Sequence, residues 1–306
     1  MQSQIQRLEV RLMKQTKNII LRFTTLLAVP FVTLAVLLGP NLARAAEPAQ
    51  SPWVEGFNNK VRLIAGRTSG QEAAVIAGIE LQMPKDWKTY WRNPGEAGGI
   101  PPEFDFSGSE NLESATVLYP APHRLVDPKA GTNIGYKDHV IFPVRVTPKD
   151  KAKPVSLKVM ATYGVCKDIC VPAEAALGIE IAADAAPSPE LAGVLATVPA
   201  SMLDPTKDPS LQRWRVDEGD GKPKLVLEVK DPGGDDSDAF LFSPDGLYMP
   251  MTKKMPGANG LAMFEVDLTD GVDLKDLQGK SISVTLAGSK GQSETIIQLP
   301  SARALP

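Results

Sequence analysis

The residue types able to do chemistry concentrate in one short segment, Cys166-Lys167-Asp168-Ile169-Cys170, closed by Val171-Pro172. These are the only 2 cysteines among 306 residues. Two thiols this close can bridge, and the bridge is either a small staple or a redox relay. In the chain-entropy picture a loop of about five residues contributes roughly 2 kcal/mol, against about 4.7 for a hundred-residue loop. Such a bridge is an inefficient staple, and strain at a strand end makes a disulfide easier to reduce. The spacing is not that of a thioredoxin, whose two intervening residues sit at a helix N-terminus that lowers the thiol pKa. Here the charge of Lys167 is offset by Asp168. Spacing and compartment by themselves leave staple and relay equally open.

Other reactive side chains are less organised. Met249-Pro250-Met251, with Met255 and Met263, offers thioethers suited to Cu(I), a soft ion, although core and loop methionines look the same in sequence. His123 and His139 are the only histidines and do not form a metal-spaced set. Trp87 and Trp91 flank Tyr90 and suit either a site wall or core packing. The sequence contains no phosphate-binding glycine loop, no His-Glu-x-x-His and no nucleophile elbow, so hydrolysis and nucleotide chemistry have no support.

The elements that must position the cysteines read as strands. Val75, Ala77, Ile79, Leu81 and Met83 alternate with Glu80 and Gln82. Val140, Phe142, Val144 and Val146 do the same against Arg145 and Thr147, and Pro143 within that run predicts an edge strand. Val155, Leu157, Val159, Ala161, Tyr163 and Val165 form a third apolar face, and Leu177, Ile179 and Ile181 a fourth. Period-two alternation with one apolar side indicates half-buried antiparallel strands. On that parity Cys166 faces outward with Ser156, Lys158 and Thr162, provided the strand stays regular past Gly164.

Residues 186–210 then read as a linker, with Leu191 to Leu203 able to form a short helix. Alternation resumes at Leu225, Leu227 and Val229, at Phe264, Val266 and Leu268, and at Ile282, Val284 and Leu286. The expected fold is therefore all-β: an immunoglobulin-like β-sandwich over 46–185 and a second, smaller β-sandwich-like domain over 211–306.

The N-terminus sets the compartment. Arg7, Arg11, Lys14, Lys17 and Arg22 precede an apolar stretch from Leu26 to Leu38, and Ala43-Arg44-Ala45 reads as a small-x-small cleavage site. The stretch is shorter than the roughly 20 residues that span a bilayer. Residues 1–45 thus read as a signal peptide cleaved near Ala45, and the mature protein as periplasmic without stable membrane insertion. Six of the 33 basic residues and one of the 36 acidic residues lie in 1–45, so the remainder carries 27 bases against 35 acids, a net charge of −8. That excess argues against nucleic acid and against an anionic membrane surface.

The segment from Tyr163 to Glu174 resembles the active segment of the N-terminal periplasmic domain of the DsbD and ScsB thiol:disulfide interchange proteins, nearest to the ScsB-like branch. Trp87 to Gly95, Gly98-Gly99-Ile100-Pro101-Pro102, Tyr119-Pro120-Ala121-Pro122 and Ile134-Gly135-Tyr136 resemble the same family, in the same order. The resemblance implies an immunoglobulin-like domain in which Cys166 and Cys170 are the redox pair, with Cys170 forming mixed disulfides and no bound cofactor. It places a covering loop near Asp127 to Gly135, with Tyr90, Tyr136, Lys167 and Asp168 lining the site. It also implies partners: a membrane-embedded thiol reductase as electron source, here on a separate chain, and periplasmic thioredoxin-like or disulfide isomerase proteins as acceptors. The associated pathways would be cytochrome c assembly or copper tolerance. Two alternatives stand beside it: an envelope binding module with a purely structural disulfide, and a copper-handling protein using the methionines.

Overall fold

The structure is a computed structural model that describes residues 49–69, 74–129, 131–233 and 237–301. The signal segment expected over 1–45 lies outside the described residues. Twelve strands come first: β1 (Ala49–Gln50), β2 (Val54–Gly56), β3 (Asn59–Arg67), β4 (Val75–Gln82), β5 (Lys88–Tyr90), β6 (Glu103–Asp105), β7 (Leu112–Val117), β8 (His123–Asp127), β9 (Gly131–Lys137), β10 (His139–Pro148), β11 (Val155–Cys166) and β12 (Cys170–Ile181). They form two antiparallel sheets. One has the order β1-β3-β4-β10-β7 with β2 on β3, the other β12-β11-β5-β9-β8 with β6 on β11.

The alternating apolar faces read from the sequence meet between these sheets. Leu63, Ala77, Ile79, Phe142 and Val144 come from one side, and Leu157, Ala161, Tyr163, Val165 and Leu177 from the other. This is the immunoglobulin-like sandwich.

One strand departs from expectation. β10 is not an edge strand, because it pairs with β4 along its length and with β7 from Val144 onward. Pro143 is tolerated because its carbonyl, and hence its nitrogen, faces Leu118, just past the end of β7. The missing donor falls where that ladder has already stopped.

Helix α1 (Pro189–Leu195) is shorter than Leu191 to Leu203 and starts earlier. The Ser188 hydroxyl accepts from the Leu191 amide, and Pro189 follows in the first turn, which fixes the start. Its Leu191 is buried against Ile64, Ile76 and Ile141. The outer face of β3, β4 and β10 is thereby covered, and this part of the expected linker is a packing element.

Seven strands follow: β13 (Ser210–Asp217), β14 (Lys224–Lys230), β15 (Asp238–Phe242), β16 (Lys253–Met255), β17 (Ala262–Asp267), β18 (Ser281–Ala287) and β19 (Gln292–Gln298), with a single-turn helix α2 (Leu274–Leu277) before β18. They make a four-stranded sheet, β13-β14-β17-β16, and a three-stranded sheet, β15-β18-β19. Leu225, Leu227, Phe264, Val266, Ile282, Val284 and Leu286 fill the space between them. Phe240 of β15 belongs instead to the first core, and residues 46–306 form one compact unit.

Candidate functional site

β11 and β12 are a hairpin whose register brings Cys166 directly opposite Cys170, with Lys167, Asp168 and Ile169 as the turn. The two sulfurs form a disulfide, with the Cα atoms 4.2 Å apart. The bridge lies at the end of the sandwich where β11 also pairs with β5, Cys166 opposite Lys88. Directly paired residues share a face of the sheet, so Lys88, Cys166 and Cys170 project together. Tyr90, two residues on in β5, projects to the same side.

The two cysteines differ in access. Cys166 is 0 % exposed, whereas Cys170 is exposed. The solvent access expected for Cys166 from its outward parity is therefore absent. Beyond Gly164 both faces of β11 are covered: the Gly164 amide donates to the Ile100 carbonyl, and the Tyr90 ring lies beside it. Parity places the cysteine on the polar side correctly, but a neighbouring segment closes over that side.

Tyr90 is the side chain that meets the bridge. Its hydroxyl is 2.8 Å from the Cys166 sulfur and 2.8 Å from the Cys170 sulfur. A disulfide has no proton to give, so the phenol donates. Burial raises its pKa above the ordinary 10.0, which keeps the donor protonated at neutral pH. The ring is held by Gly99, where a Cβ would fall 2.2 Å from the Tyr90 Cε1 atom, so only glycine fits.

The segment 94–100 brings Gly99 against this ring, and the β8–β9 hairpin holds the segment. The Asn133 amide donates to the carbonyls of Pro94 (3.2 Å) and Gly98 (2.7 Å), and its Oδ1 accepts from the Lys88 ammonium at 2.6 Å. Burial lowers the Lys88 pKa, Asp127 opposes that shift and Lys137 adds to it. The covering role expected of Asp127 to Gly135 is thus indirect. Gly99 and Ile100 touch Tyr90 or Gly164, while the hairpin lies beside β5 in the same sheet, with Gly135 opposite Tyr90.

The remaining expected site residues separate. Tyr136 is opposite Thr89 in the ladder and so points to the other face of the sheet. There its hydroxyl donates to the Pro120 carbonyl, its ring packs edge-on to Phe142, and burial raises its pKa well above normal. It is a core residue and does not line the site. Lys167 and Asp168 are exposed in the turn, beside Ile169 at 66 % exposure. Trp87 packs edge-on against Phe57, and Trp91 is buried against Phe240 and Phe242. His123 is exposed on β8, while His139 reaches Glu80 at 3.0 Å. Met249 is buried in the second core, Met251 packs on the first, and Met255 pairs with Met263 across β16 and β17. Among the described residues no group of three or more His, Cys, Asp or Glu is placed to hold a metal.

Lys88, Asn133 and Gly99 were not singled out as site residues from the sequence. Gly98-Gly99 carried a signal, since paired glycines mark a close backbone approach. Asn133 and Lys88 carried none, because strand pairing alone brings them to the site.

Residues 60–178 match the family described as thiol:disulfide interchange protein DsbD, N-terminal. No curated protein matches the chain. Among solved structures, the N-terminal periplasmic domain of ScsB from Proteus mirabilis is similar in fold, with a TM-score of 0.63 at 18% identity, covering 84% of this chain and 100% of that one. Residues 60–178 alone cannot supply that share, so the likeness of fold extends into the second pair of sheets.

Proposed function

We propose, from the match of residues 60–178 to the DsbD N-terminal family, that this chain is a periplasmic electron relay working through Cys166 and Cys170. The observation that carries the reading is the asymmetry of the bridge: an exposed Cys170, a buried Cys166, and one phenol hydroxyl 2.8 Å from both sulfurs.

The chemistry follows from that asymmetry. A donor dithiol protein approaches from the exposed side, and its thiolate attacks the Cys170 sulfur. The Cys166–Cys170 bond breaks, a mixed disulfide forms, and the electron pair leaves on the Cys166 sulfur, where the Tyr90 hydroxyl meets the developing charge. The donor's second thiolate then attacks its own sulfur in the mixed disulfide and expels Cys170 as thiolate. The donor ends as a disulfide, the pair holds two electrons, and two protons from solvent complete the thiols. Delivery is the reverse: Cys170 attacks an acceptor disulfide, and Cys166 resolves the intermediate. In this reading the donor is a membrane-embedded thiol reductase, and the acceptors are thioredoxin-like or isomerase proteins of the same compartment. The domain over 46–185 carries the chemistry, and that over 211–306 supports it.

The test is the redox equilibrium of the protein in glutathione or dithiothreitol buffers, read by thiol alkylation and mass shift. A midpoint within about −180 to −270 mV is the range of exchange proteins and supports the relay. A midpoint below about −300 mV is that of a structural bridge and overturns it in favour of a binding module.

A further inference from the structure

Immediately after Tyr90 the chain leaves the catalytic sheet, and three consecutive side chains are gripped by the second pair of sheets. The Trp91 ring is 0 % exposed and packs edge-on against Phe240 and Phe242 of β15. The Arg92 guanidinium lies 4.6 Å from the centroid of the Trp91 ring and 4.6 Å from that of Phe242. It forms an ion pair with Glu294 of β19 and approaches Thr285 of β18 at 3.3 Å. The buried Asn93 amide donates to two carbonyls of the second unit, Leu241 at 2.9 Å and Met249 at 3.1 Å. Its Oδ1 accepts from the Gly95 amide at 3.1 Å, at the start of the segment that covers Tyr90.

We infer that Arg92 and Asn93 are positioning residues, through which the second β unit holds Tyr90 and the 94–100 segment in register with the disulfide. The physical reason is leverage. β5 is only three residues long, and its pairing to β11 consists of Cys166 opposite Lys88. The β9 ladder sets the face on which Tyr90 lies, but a single pairing to the cysteine strand leaves the reach of its hydroxyl to the sulfurs dependent on how the chain is held just beyond it. Asn93 satisfies two carbonyls of the second unit and one amide of the cover, so a single side chain ties the two together. Arg92 adds a charge pair, with both side chains largely removed from water, and such pairs are sensitive to loss of one partner. A second attachment, the bidentate pair of Arg124 with Asp238 at 2.7 and 2.8 Å, keeps the unit seated on β8 when either contact is removed.

The experiment measures how fast excess dithiothreitol opens the bridge, across pH, in the full chain carrying Asn93→Ala or Glu294→Ala. Each is compared with Arg215→Gln, which breaks an exposed pair with Glu228 elsewhere in the second unit. Circular dichroism and thermal melting establish that each variant is folded. We expect both positioning variants to slow opening by about two- to fivefold, the low end of coupling between contacting residues and no more than removal of the hydroxyl itself would cost, and Arg215→Gln to leave it unchanged. The decisive control repeats Asn93→Ala and Glu294→Ala in a Tyr90→Phe background, where the slowing should disappear because it acts through the hydroxyl. Folded variants that open at the wild-type rate, or a slowing that persists undiminished without the Tyr90 hydroxyl, would overturn the inference. Excess reductant opens a relay and a staple alike, so this result stands apart from the midpoint that decides the relay.

Discussion

Replacing Tyr90 by Phe tests the core of the site with one atom. The hydroxyl is buried and 2.8 Å from both sulfurs. When a thiolate attacks Cys170, negative charge develops on the Cys166 sulfur, which is 0 % exposed and cannot be solvated by bulk water. A neutral hydrogen bond contributes about 1 kcal/mol net, and one to an ionised group about twice that. The transition state therefore gains roughly 1 kcal/mol over the ground state, which corresponds to about fivefold in rate. Phenylalanine keeps the ring that fills the space against Gly99 and Gly164, so the cover should stay in place. The assay is rapid-quench reduction by dithiothreitol with alkylation of the freed thiols, between neutral and mildly alkaline pH. A fivefold slowing with unchanged thermal stability is the expected result. An unchanged rate in a folded variant, or a faster one, would refute the assignment of Tyr90 as donor to the leaving sulfur.

Other outcomes follow from the same geometry. Cys166→Ser should leave a rapidly alkylated thiol that accumulates mixed disulfides, whereas Cys170→Ser should leave one that alkylates at least about tenfold more slowly, because access controls thiol reactivity; equal rates on mass spectrometry would contradict the burial of Cys166. Gly99→Ala places a methyl on the Tyr90 ring and should cost about 1–3 kcal/mol in denaturant unfolding, the usual penalty of overpacking. Leu191→Ala empties the pocket between α1 and Ile64, Ile76 and Ile141, and should cost about 2–5 kcal/mol by the same measurement. For Glu80, burial alone would raise the carboxyl pKa, but hydrogen bonds from Arg62, Gln82 and His139, with the Arg62 charge, hold it below the ordinary 4.5. A depressed carboxyl stabilises the fold above its unfolded value and loses that contribution as pH falls through the folded value. Thermal midpoints should therefore drop below about pH 4.5, and Glu80→Gln should lower the neutral-pH midpoint while flattening that acid limb.

Much of this molecule is written in local pattern. Alternation along Val155 to Val165 and Leu225 to Val229 specifies strands with one apolar face, and burying those faces leaves little choice but packed antiparallel sheets. The cysteine spacing marked the site, since two thiols three residues apart across a tight turn are within bonding reach. Local pattern does not say what covers a strand end, which neighbours a short strand chooses, or which face of a proline-bearing strand stays paired. Parity put Cys166 on the polar side, and only the folded chain shows the Tyr90 ring and the Ile100 carbonyl closing over that side. Tyr90 and Tyr136 look alike in sequence, yet the β5–β9 register sends one to the sulfurs and the other to the Pro120 carbonyl, because neighbouring positions in a strand face opposite ways. The hold of the second unit on Trp91, Arg92 and Asn93 joins residues far apart along the chain. Local pattern carries the strands with one apolar face and the pairing of the two cysteines, and leaves staple and relay open. Packing sets which cysteine is reachable and which phenol serves the bridge, since access and hydrogen bonding depend on segments that meet only when the chain is folded.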